Sequence, residues 1–238
     1  MNILTGIGLG PGDPELITVK AIKALEAADV IFYPATSIKD GEVRSFSLNI
    51  LKQLDLKVDC RPLLIPMTGK NREKRYRDAY RQVKNEMDKG KKVVVVNEGD
   101  VLFYSTFGYL FEMARSDGKE CRVIPGIPAF IAAAGAGTRP LADGKAGLQV
   151  MAAPESFNHI RQFFKQHPKD TLVVMKMKLL DGWCDFINEC QRPFLYVEKM
   201  GTKDEYVTSD SEHLRNRDIP YFSLIIFYPE EEKIEAEK

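Results

Sequence analysis

The chain has 238 residues and a formal net charge of zero, with 34 basic and 34 acidic side chains. This length predicts one large α/β domain or two of ordinary size, and the balanced charge argues against a nucleic-acid partner. No apolar run approaches the roughly 20 residues that span a bilayer, so we expect no membrane partner either.

Cysteine and histidine spacing bears on metal binding and redox state. The four cysteines are scattered without a Cys-x-x-Cys pair, and the three histidines share no motif with them. We therefore expect no protein-bound metal and reduced cysteines. The first residues carry no basic segment followed by an apolar stretch, so we expect no signal peptide and a cytoplasmic protein.

The first half of the chain alternates strand and helix patterns. A strand over residues 2–5 runs into a glycine-rich turn, after which Asp13 suits a helix N-cap and Pro14 the first helical position. The apolar face predicted for that helix consists of Leu16, Val19, Ile22 and Leu25. The segments that follow are a strand over 29–34 stopped by Pro34, a helix capped by Ser45 and ending near 54, a strand over 58–66, a helix over 71–89, a valine-rich strand over 91–97, a helix over 101–115 and a strand over 122–124.

The pattern restarts in the second half, after a small apolar helix over 129–136. Strands are predicted over 148–153, 171–177, 194–198, 205–208 and 221–228, and helices over 156–166 and 180–191. This alternation predicts an α/β fold of two domains, with a mainly parallel sheet in the first and a mixed sheet in the second. We divide the chain into domains 1–120 and 121–238, with a frayed, charged end from residue 230.

Three unusual loops, at residues 8–13, 98–105 and 125–129, follow predicted strands. Because ligands of open α/β sheets bind beyond the carboxyl ends of strands, these loops predict a small-molecule site in a cleft between the two domains. The first loop does not fit the dinucleotide fingerprint, since Pro11 and Asp13 stand where glycines would be needed, and no Walker lysine follows. Taken singly, each loop can also be a turn without a ligand.

The same loops resemble the signature of the tetrapyrrole methylases, S-adenosylmethionine-dependent enzymes of cobalamin and sirohaem synthesis. The resemblance rests on Gly-Leu-Gly-Pro-Gly-Asp at 8–13, Glu-Gly-Asp at 98–100 and Ile-Pro-Gly-Ile-Pro at 124–128. Segments at 33–34, 66–68 and 102–107 further resemble the branch of the family that methylates C20 of precorrin-2 or cobalt-factor II. The family usually has proline at the position of Val101, and because proline would preset this turn, its loss predicts a looser loop.

The resemblance implies two α/β domains, a homodimer, a tetrapyrrole substrate and S-adenosylmethionine held between the domains. Carried over residue by residue, it implies a donor pocket with contributions from both domains. The predicted donor-binding residues are, on the three loops, Pro11, Glu98, Gly99, Asp100, Phe103, Pro128 and Ala129, and, further along the second domain, Lys176, Met200, Gly201 and Ser223.

Methyl transfer from a sulfonium to carbon needs no protein nucleophile, so alignment and exclusion of water are the main tasks. Positioning alone recovers roughly 7–11 kcal/mol of the barrier. A proton must then leave the macrocycle, and a carboxylate or phenol can assist. We predict Asp100 and Tyr104 as catalytic candidates, with Glu98 a further candidate by position. A structural or donor-binding role for Asp100 is at least as well supported.

The peripheral carboxylates of a tetrapyrrole need cationic partners. The candidates are Arg72, Arg75, Arg77, Arg139, Lys176 and Lys178. A solvated helix face explains most of the arginines in 72–81, whereas Lys176 interrupts an apolar strand. We interpret the aromatic residues of 103–111 as core rather than as a surface that stacks on a macrocycle.

Four functions are consistent with these observations. The first is C20 methylation of precorrin-2 or cobalt-factor II, and the second is methylation of another ring carbon or of uroporphyrinogen III. The third is methylation of a protein side chain, as in diphthamide synthesis, and the fourth is a non-catalytic regulator that binds the donor. Donor titration followed by turnover with a tetrapyrrole distinguishes the four.

Overall fold

The computed structural model describes residues 3–39, 42–65 and 71–230. The chain divides into two compact units, Met1–Ala129 and Phe130–Lys238. The predicted motif at 66–68 and most of the predicted charged end lie outside the described residues. Within the described ranges, no helix is both long and apolar enough to cross a membrane.

The first unit is built on a parallel sheet. Its elements are β1 (Ile3–Gly8), α1 (Val19–Glu26), β2 (Val30–Ala35), β3 (Ser37–Lys39), β4 (Glu42–Arg44), α2 (Phe46–Leu51), β5 (Asp59–Leu64), α3 (Arg72–Asp88), β6 (Val93–Asn97), α4 (Phe107–Ser116) and β7 (Glu120–Ile124). Five strands pair in the order β5-β2-β6-β1-β7, all in parallel, as predicted. The remaining two strands, β3 and β4, form a hairpin that the sequence patterns did not predict.

The valines of β6 explain why this sheet is buried on both faces. Val93 and Val95 join a cluster with residues of α3 and α4, whereas Val94 and Val96 join another with residues of α1 and α2. Side chains of a strand alternate between the two faces, so a continuous valine run suits a central parallel strand.

The second unit has a mixed sheet, also as predicted. Its elements are α5 (Ala129–Ala136), whose first residue still belongs to the first unit, β8 (Leu148–Ala152), α6 (Phe157–Gln166), β9 (Thr171–Met175), α7 (Trp183–Cys190), β10 (Phe194–Glu198), β11 (Tyr206–Thr208) and β12 (Ser223–Phe227). The strand order is β11-β10-β12-β9-β8, with only β8 and β9 parallel. Trp183 and Tyr196 lie in its core.

The start of the first helix differs from the prediction. Asp13 caps only a short 3-10 turn, Pro14–Leu16, by accepting a hydrogen bond from the Glu15 amide at 2.8 Å. The α-helix α1 begins later, where Thr18 accepts from the Ala21 amide at 3.2 Å. The buried face of α1 is formed by Ala21 and Leu25, and with 3.6 residues per turn Val19 lies on the opposite side, where it is 71% exposed, although its spacing placed it on the apolar face.

Several predicted ends of elements also shift. Pro34 does not end β2, which continues to Ala35 beside β5. Strand β6 pairs with β2 only as far as Phe32, so no hydrogen bond to β6 requires an amide N–H at Pro34. Strand β9 ends at Met175, because Lys176 takes a left-handed backbone with φ 59°. The predicted boundary at residue 120 also differs from the division of the units, since β7 pairs with β1 inside the first sheet.

Candidate active site

Three glycine-containing turns leave the first sheet at one edge. Strand β1 lies between β6 and β7, and Gly8 pairs with Asn97 while Ile7 pairs with Ile124. Beyond the strand ends, Gly10 and Gly99 exchange two main-chain hydrogen bonds, of 3.1 and 2.7 Å. The first two loops predicted as ligand-binding are thus joined through their main chains.

The third turn packs directly against the other two through glycine. A Cβ atom added at Gly8 would lie 2.6 Å from the Gly126 nitrogen and 2.6 Å from the Gly99 oxygen, and one added at Gly126 would overlap the Gly99 oxygen. Gly99 itself has a left-handed φ of 64°. Contact between the three turns therefore requires glycine at positions 8 and 126, whereas at position 99 glycine is favoured because it adopts a left-handed backbone without strain.

Asp100 fastens the second turn to the third. Its Oδ2 atom accepts a hydrogen bond from the Gly126 amide at 3.0 Å, and its Oδ1 atom accepts one from the Leu102 amide at 2.9 Å. Both carboxylate oxygens therefore have main-chain partners. This is the structural role that the sequence left open beside a catalytic one.

Val101, where the family usually has proline, is fully buried in the same cluster as Val95. The Ser105 hydroxyl donates to the Val101 carbonyl, and the Phe103 amide donates to the Asp100 carbonyl at 3.3 Å. Together with the hydrogen bonds of the Asp100 carboxylate, these contacts stabilise the turn at Val101, where proline would otherwise fix the backbone.

Tyr104 occupies an unusual backbone conformation at this turn. Its φ is 50°, and the residue is 56% exposed. Non-glycine residues in this region carry strain of about 1–3 kcal/mol and are enriched at functional sites. The interpretation of the aromatic run as core is therefore only partly right: Phe107 is buried, but Tyr104 and Tyr109 are about half exposed.

Glu98, the first residue of the second loop, contacts the neighbouring helix. The Ser47 hydroxyl on α2 is buried and donates to Glu98 Oε2 at 2.5 Å. Pro11, Phe103, Pro128 and Ala129, the other predicted donor-binding residues of the first unit, lie on the same three loops or immediately after them.

The predicted donor-binding residues of the second unit gather at one edge of its own sheet. Ser223 begins β12 and pairs with Glu198 at the end of β10, and Leu224 pairs with Met175, the residue before Lys176. Met200 and Gly201 lie in the turn after β10, where the Gly201 amide donates to Glu205 Oε2 at 2.6 Å.

A buried carboxylate supports this edge of the second sheet. Glu198 is 5% exposed and accepts hydrogen bonds from Arg217 at 2.5 and 3.0 Å and from the Tyr196 hydroxyl at 2.5 Å. Burial alone would raise the pKa of Glu198, but the hydrogen bonds from Arg217 and Tyr196 hold that pKa below its ordinary value. The group is therefore a paired anion inside the second unit.

The predicted substrate-binding cations have different surroundings. On α3, Arg72 stacks over the Tyr76 and Tyr109 rings, 5.5 Å from each centroid, Arg77 pairs with Glu73 at 2.7 Å, and Arg75 is exposed. Lys178 pairs with Asp218 at 3.3 Å, and Arg139 stacks over the Tyr228 ring at 4.3 Å. Among these, Arg139 lies closest to an aromatic ring, and Arg72 stacks on two rings.

Two features of the site were not predicted. The glycines at 8 and 126 were noted only as parts of loops, although they make the closest main-chain approaches. Asn97 was interpreted only as the end of a valine-rich strand. The change from four valines to a polar residue is the sequence signal that could have identified Asn97 as a site residue. Among the described residues, no group of three or more His, Cys, Asp or Glu side chains could hold a metal ion.

Comparison with known proteins defines the class. Residues 3–213 match the family model of the tetrapyrrole (corrin/porphyrin) methylases. The chain belongs to this family, and the resemblance seen in the sequence is confirmed.

Two members of the family are similar to this chain in sequence over most of its length. It is 32% identical over 179 residues to the probable cobalt-precorrin-2 C(20)-methyltransferase of Methanocaldococcus jannaschii, a match that covers 74% of this chain and 73% of the relative. It is 31% identical over 236 residues to the precorrin-2 C(20)-methyltransferase of Sinorhizobium sp, covering 94% of each.

A solved structure supports the fold. The uroporphyrin-III C-methyl transferase of Thermus thermophilus, complexed with S-adenosyl homocysteine, matches with a TM-score of 0.65 and 19% identity, over 94% of this chain and 91% of that chain. At this identity the likeness concerns the fold alone.

Proposed function

We propose that the protein is an S-adenosylmethionine-dependent methyltransferase that adds a methyl group to C20 of precorrin-2 or cobalt-factor II in cobalamin biosynthesis. Membership of the tetrapyrrole methylases supports the reaction class. The two curated relatives, both named as C20-methyltransferases of precorrin-2 or cobalt-precorrin-2, support the position on the ring.

The observation that carries this proposal is the meeting of the three turns at the carboxyl edge of the first sheet. The close approaches at Gly8, Gly99 and Gly126 build this place from main-chain groups rather than side chains. Such groups suit a ligand like S-adenosylmethionine, which combines an amine, a carboxylate, hydroxyls and an adenine ring. The residues present therefore fit the donor.

Bound S-adenosylmethionine supplies an activated methyl group, so the chain contributes position. We propose that Pro11, Glu98, Gly99, Asp100, Phe103, Pro128 and Ala129 line the donor site, with Lys176, Met200, Gly201 and Ser223 contributing from the second unit. Rigid turns suit this task, because alignment of reactants is worth more here than an acid or a nucleophile.

Proton removal from the methylated ring is assigned to Tyr104 or Asp100. Both oxygens of Asp100 already accept main-chain hydrogen bonds, which favours a positioning role for it. Tyr104 is half exposed on the adjacent turn and offers a phenol to a bound tetrapyrrole. Loss of turnover with unchanged donor affinity in Tyr104→Phe supports the phenol, and full turnover in that variant excludes it.

We further propose that the protein acts as a homodimer, as the family resemblance implies, and that it acts in the cytoplasm, as the cysteine pattern predicts. Light scattering on the purified protein tests the dimer, and a monomer at micromolar concentration contradicts it.

The experiment for the reaction itself uses isotopically labelled methyl donor with precorrin-2 and with cobalt-factor II. The proposal predicts one labelled methyl group at C20 of one of these products, located by mass spectrometry and NMR. A label on another ring carbon, or turnover only with uroporphyrinogen III, would show that the protein is a tetrapyrrole methylase of different specificity. Donor binding without methylation of any tetrapyrrole contradicts the enzyme function.

A further inference from the structure

Asn97 contains a buried polar atom without a hydrogen-bond partner. The residue is 4% exposed, and its Oδ1 atom has no partner among the described residues. Buried acceptors are satisfied in the great majority of cases, because an unmade hydrogen bond costs the desolvation of the group. An exception at the end of a central strand calls for a physical reason.

The position of Asn97 connects it to the three turns. Asn97 is the last residue of β6 and the register partner of Gly8 on β1. Side chains of paired residues in neighbouring strands lie on the same face of a sheet. On that face, a side chain at Gly8 would run into Gly126 and Gly99. The Asn97 carboxamide therefore leaves the sheet beside the meeting point of the turns.

The strand period identifies what covers this face. Val93 and Val95 share the face of Asn97, and their cluster includes Val101 and Phe107. The turn that carries Tyr104 thus begins and ends on the face where the carboxamide lies. This turn includes the exposed side chains of Leu102 and Tyr104 and the left-handed backbone of Tyr104.

We propose that the Asn97 carboxamide oxygen accepts a hydrogen bond from an N–H group of the bound ligand, which makes Asn97 a further binding residue of this site. The inference rests on the proposed function, because it assumes a ligand beside the three turns. Two ligands of the reaction carry such groups: the methyl donor in its amino groups, and the metal-free tetrapyrrole precorrin-2 in its pyrrole N–H groups. The proposal requires the exposed side chains of this turn, Leu102 and Tyr104, to move aside on binding so that either ligand reaches the oxygen.

The test uses Asn97→Leu, which keeps the side-chain shape and removes the acceptor. Without ligand, this variant has a Tm higher by about 2–4 °C, because a buried unsatisfied group is gone. With ligand, it shows an affinity about tenfold weaker, as expected for one lost hydrogen bond. A raised Kd for S-adenosylhomocysteine in calorimetry assigns the donor, and a raised KM for the tetrapyrrole assigns the substrate.

Two further variants separate hydrogen bonding from packing. Asn97→Asp keeps an acceptor oxygen, so it retains the ligand affinity that Asn97→Leu loses, while its Tm falls because a carboxylate is buried. Tyr228→Phe is the matched control, since the Tyr228 hydroxyl in the second unit is also buried without a partner in the described part of the chain. Its Tm rises, and its Kd and KM equal those of the wild type.

Unchanged Kd and KM in Asn97→Leu overturn the inference. A lower Tm in Asn97→Leu, with both Asn97 variants equally weak in binding, also overturns it, because the side chain then serves the fold alone. Failure of the wild type to bind S-adenosylhomocysteine or methylate a tetrapyrrole is a separate result, which removes the proposed function and this inference with it.

Discussion

At the scale of single residues, Gly126 offers the sharpest test of the contact between the turns. A methyl group there would overlap the Gly99 carbonyl oxygen and crowd Gly8. We expect Gly126→Ala to push the third turn away and to weaken S-adenosylhomocysteine binding at least tenfold in calorimetry, because this is backbone against backbone and no side chain can yield.

Gly108→Ala is the matched control for this change. Gly108 lies in α4, and an added Cβ would meet nothing within 4 Å. Replacing a helical glycine by alanine stabilises by about 0.5–1 kcal/mol, so this variant should unfold at higher urea and bind the donor product normally. Equal binding by Gly126→Ala and the wild type would show that the close approach does not matter.

Asp100 is expected to act through both carboxylate oxygens. In Asp100→Asn only one oxygen remains, so either the Leu102 or the Gly126 amide loses its acceptor, at a cost of about 1–3 kcal/mol. We expect a lower Tm together with weaker S-adenosylhomocysteine binding.

Asp210→Asn serves as the control for this charge change. Asp210 accepts one main-chain hydrogen bond, from the Glu212 amide at 2.9 Å, which asparagine can also accept. Its stability and binding should match the wild type. An Asp100→Asn protein of normal stability and normal affinity contradicts the positioning role.

At the scale of elements, Glu86 joins the end of α3 to β5 and to the residues before β6. It is 5% exposed and pairs with Lys89 at 2.6 Å, Lys91 at 2.5 Å and Arg61 at 3.3 Å. Hydrogen bonds from Lys89 and Lys91 lower the pKa of Glu86 from its ordinary 4.5 to about 2. The cluster therefore stabilises the fold only while Glu86 is ionised.

This lowered pKa fixes the pH range in which Glu86 matters. Because the folded-state pKa lies below the unfolded one, the stabilisation is complete above about pH 4.5 and is lost as pH falls toward 2. We expect the difference in urea midpoint between the wild type and Glu86→Gln to be largest at pH 7 and to shrink through this range. A difference that does not change between pH 7 and pH 3 contradicts the ion-pair account.

Arg217 makes a corresponding link in the second unit, from the segment before β12 to the end of β10. Arg217→Leu leaves the buried Glu198 without its cation and should cost about 3–5 kcal/mol in urea unfolding. Adding Glu198→Leu should recover much of this loss.

Arg77→Leu is the control for the Arg217 change. Its pair with Glu73 is exposed, so the loss should stay within about 0.5 kcal/mol. Equal losses in Arg217→Leu and Arg77→Leu would contradict a special role for the buried pair.

Most of the fold was predictable from the periodicity of apolar residues, but the positions at which helices and strands end were not. The alternating apolar runs predicted the order of the main strands and helices and the parallel and mixed sheets. The ends shifted where one backbone conformation decides, as at Lys176, whose left-handed φ ends β9 in an apolar run. A spacing of three residues also placed Val19 on the wrong face, because the helix has 3.6 residues per turn and buries Ala21 and Leu25.

The site was predictable in its loops and less so in its contacts. Glycine and proline at 8–13, 98–100 and 124–128 marked the turns, because these residue types constrain the backbone locally. That Asp100 bridges to Gly126 depends on strand order, which brings residues 26 positions apart into contact. The unpartnered oxygen of Asn97 likewise appears only once its surroundings are known.

At the scale of the whole molecule, each unit has its own sheet and its own core clusters. We therefore expect the three turns of the first unit to bind the donor, held in place by the sheet of that unit. Hydrogen–deuterium exchange over the full chain, with and without S-adenosylhomocysteine, tests this assignment most directly. We predict slower exchange on binding at the amides of residues 9–13, 98–105 and 126–129, with the α3 surface unchanged. Binding that leaves those three segments as exchangeable as before, while protecting others, would contradict it.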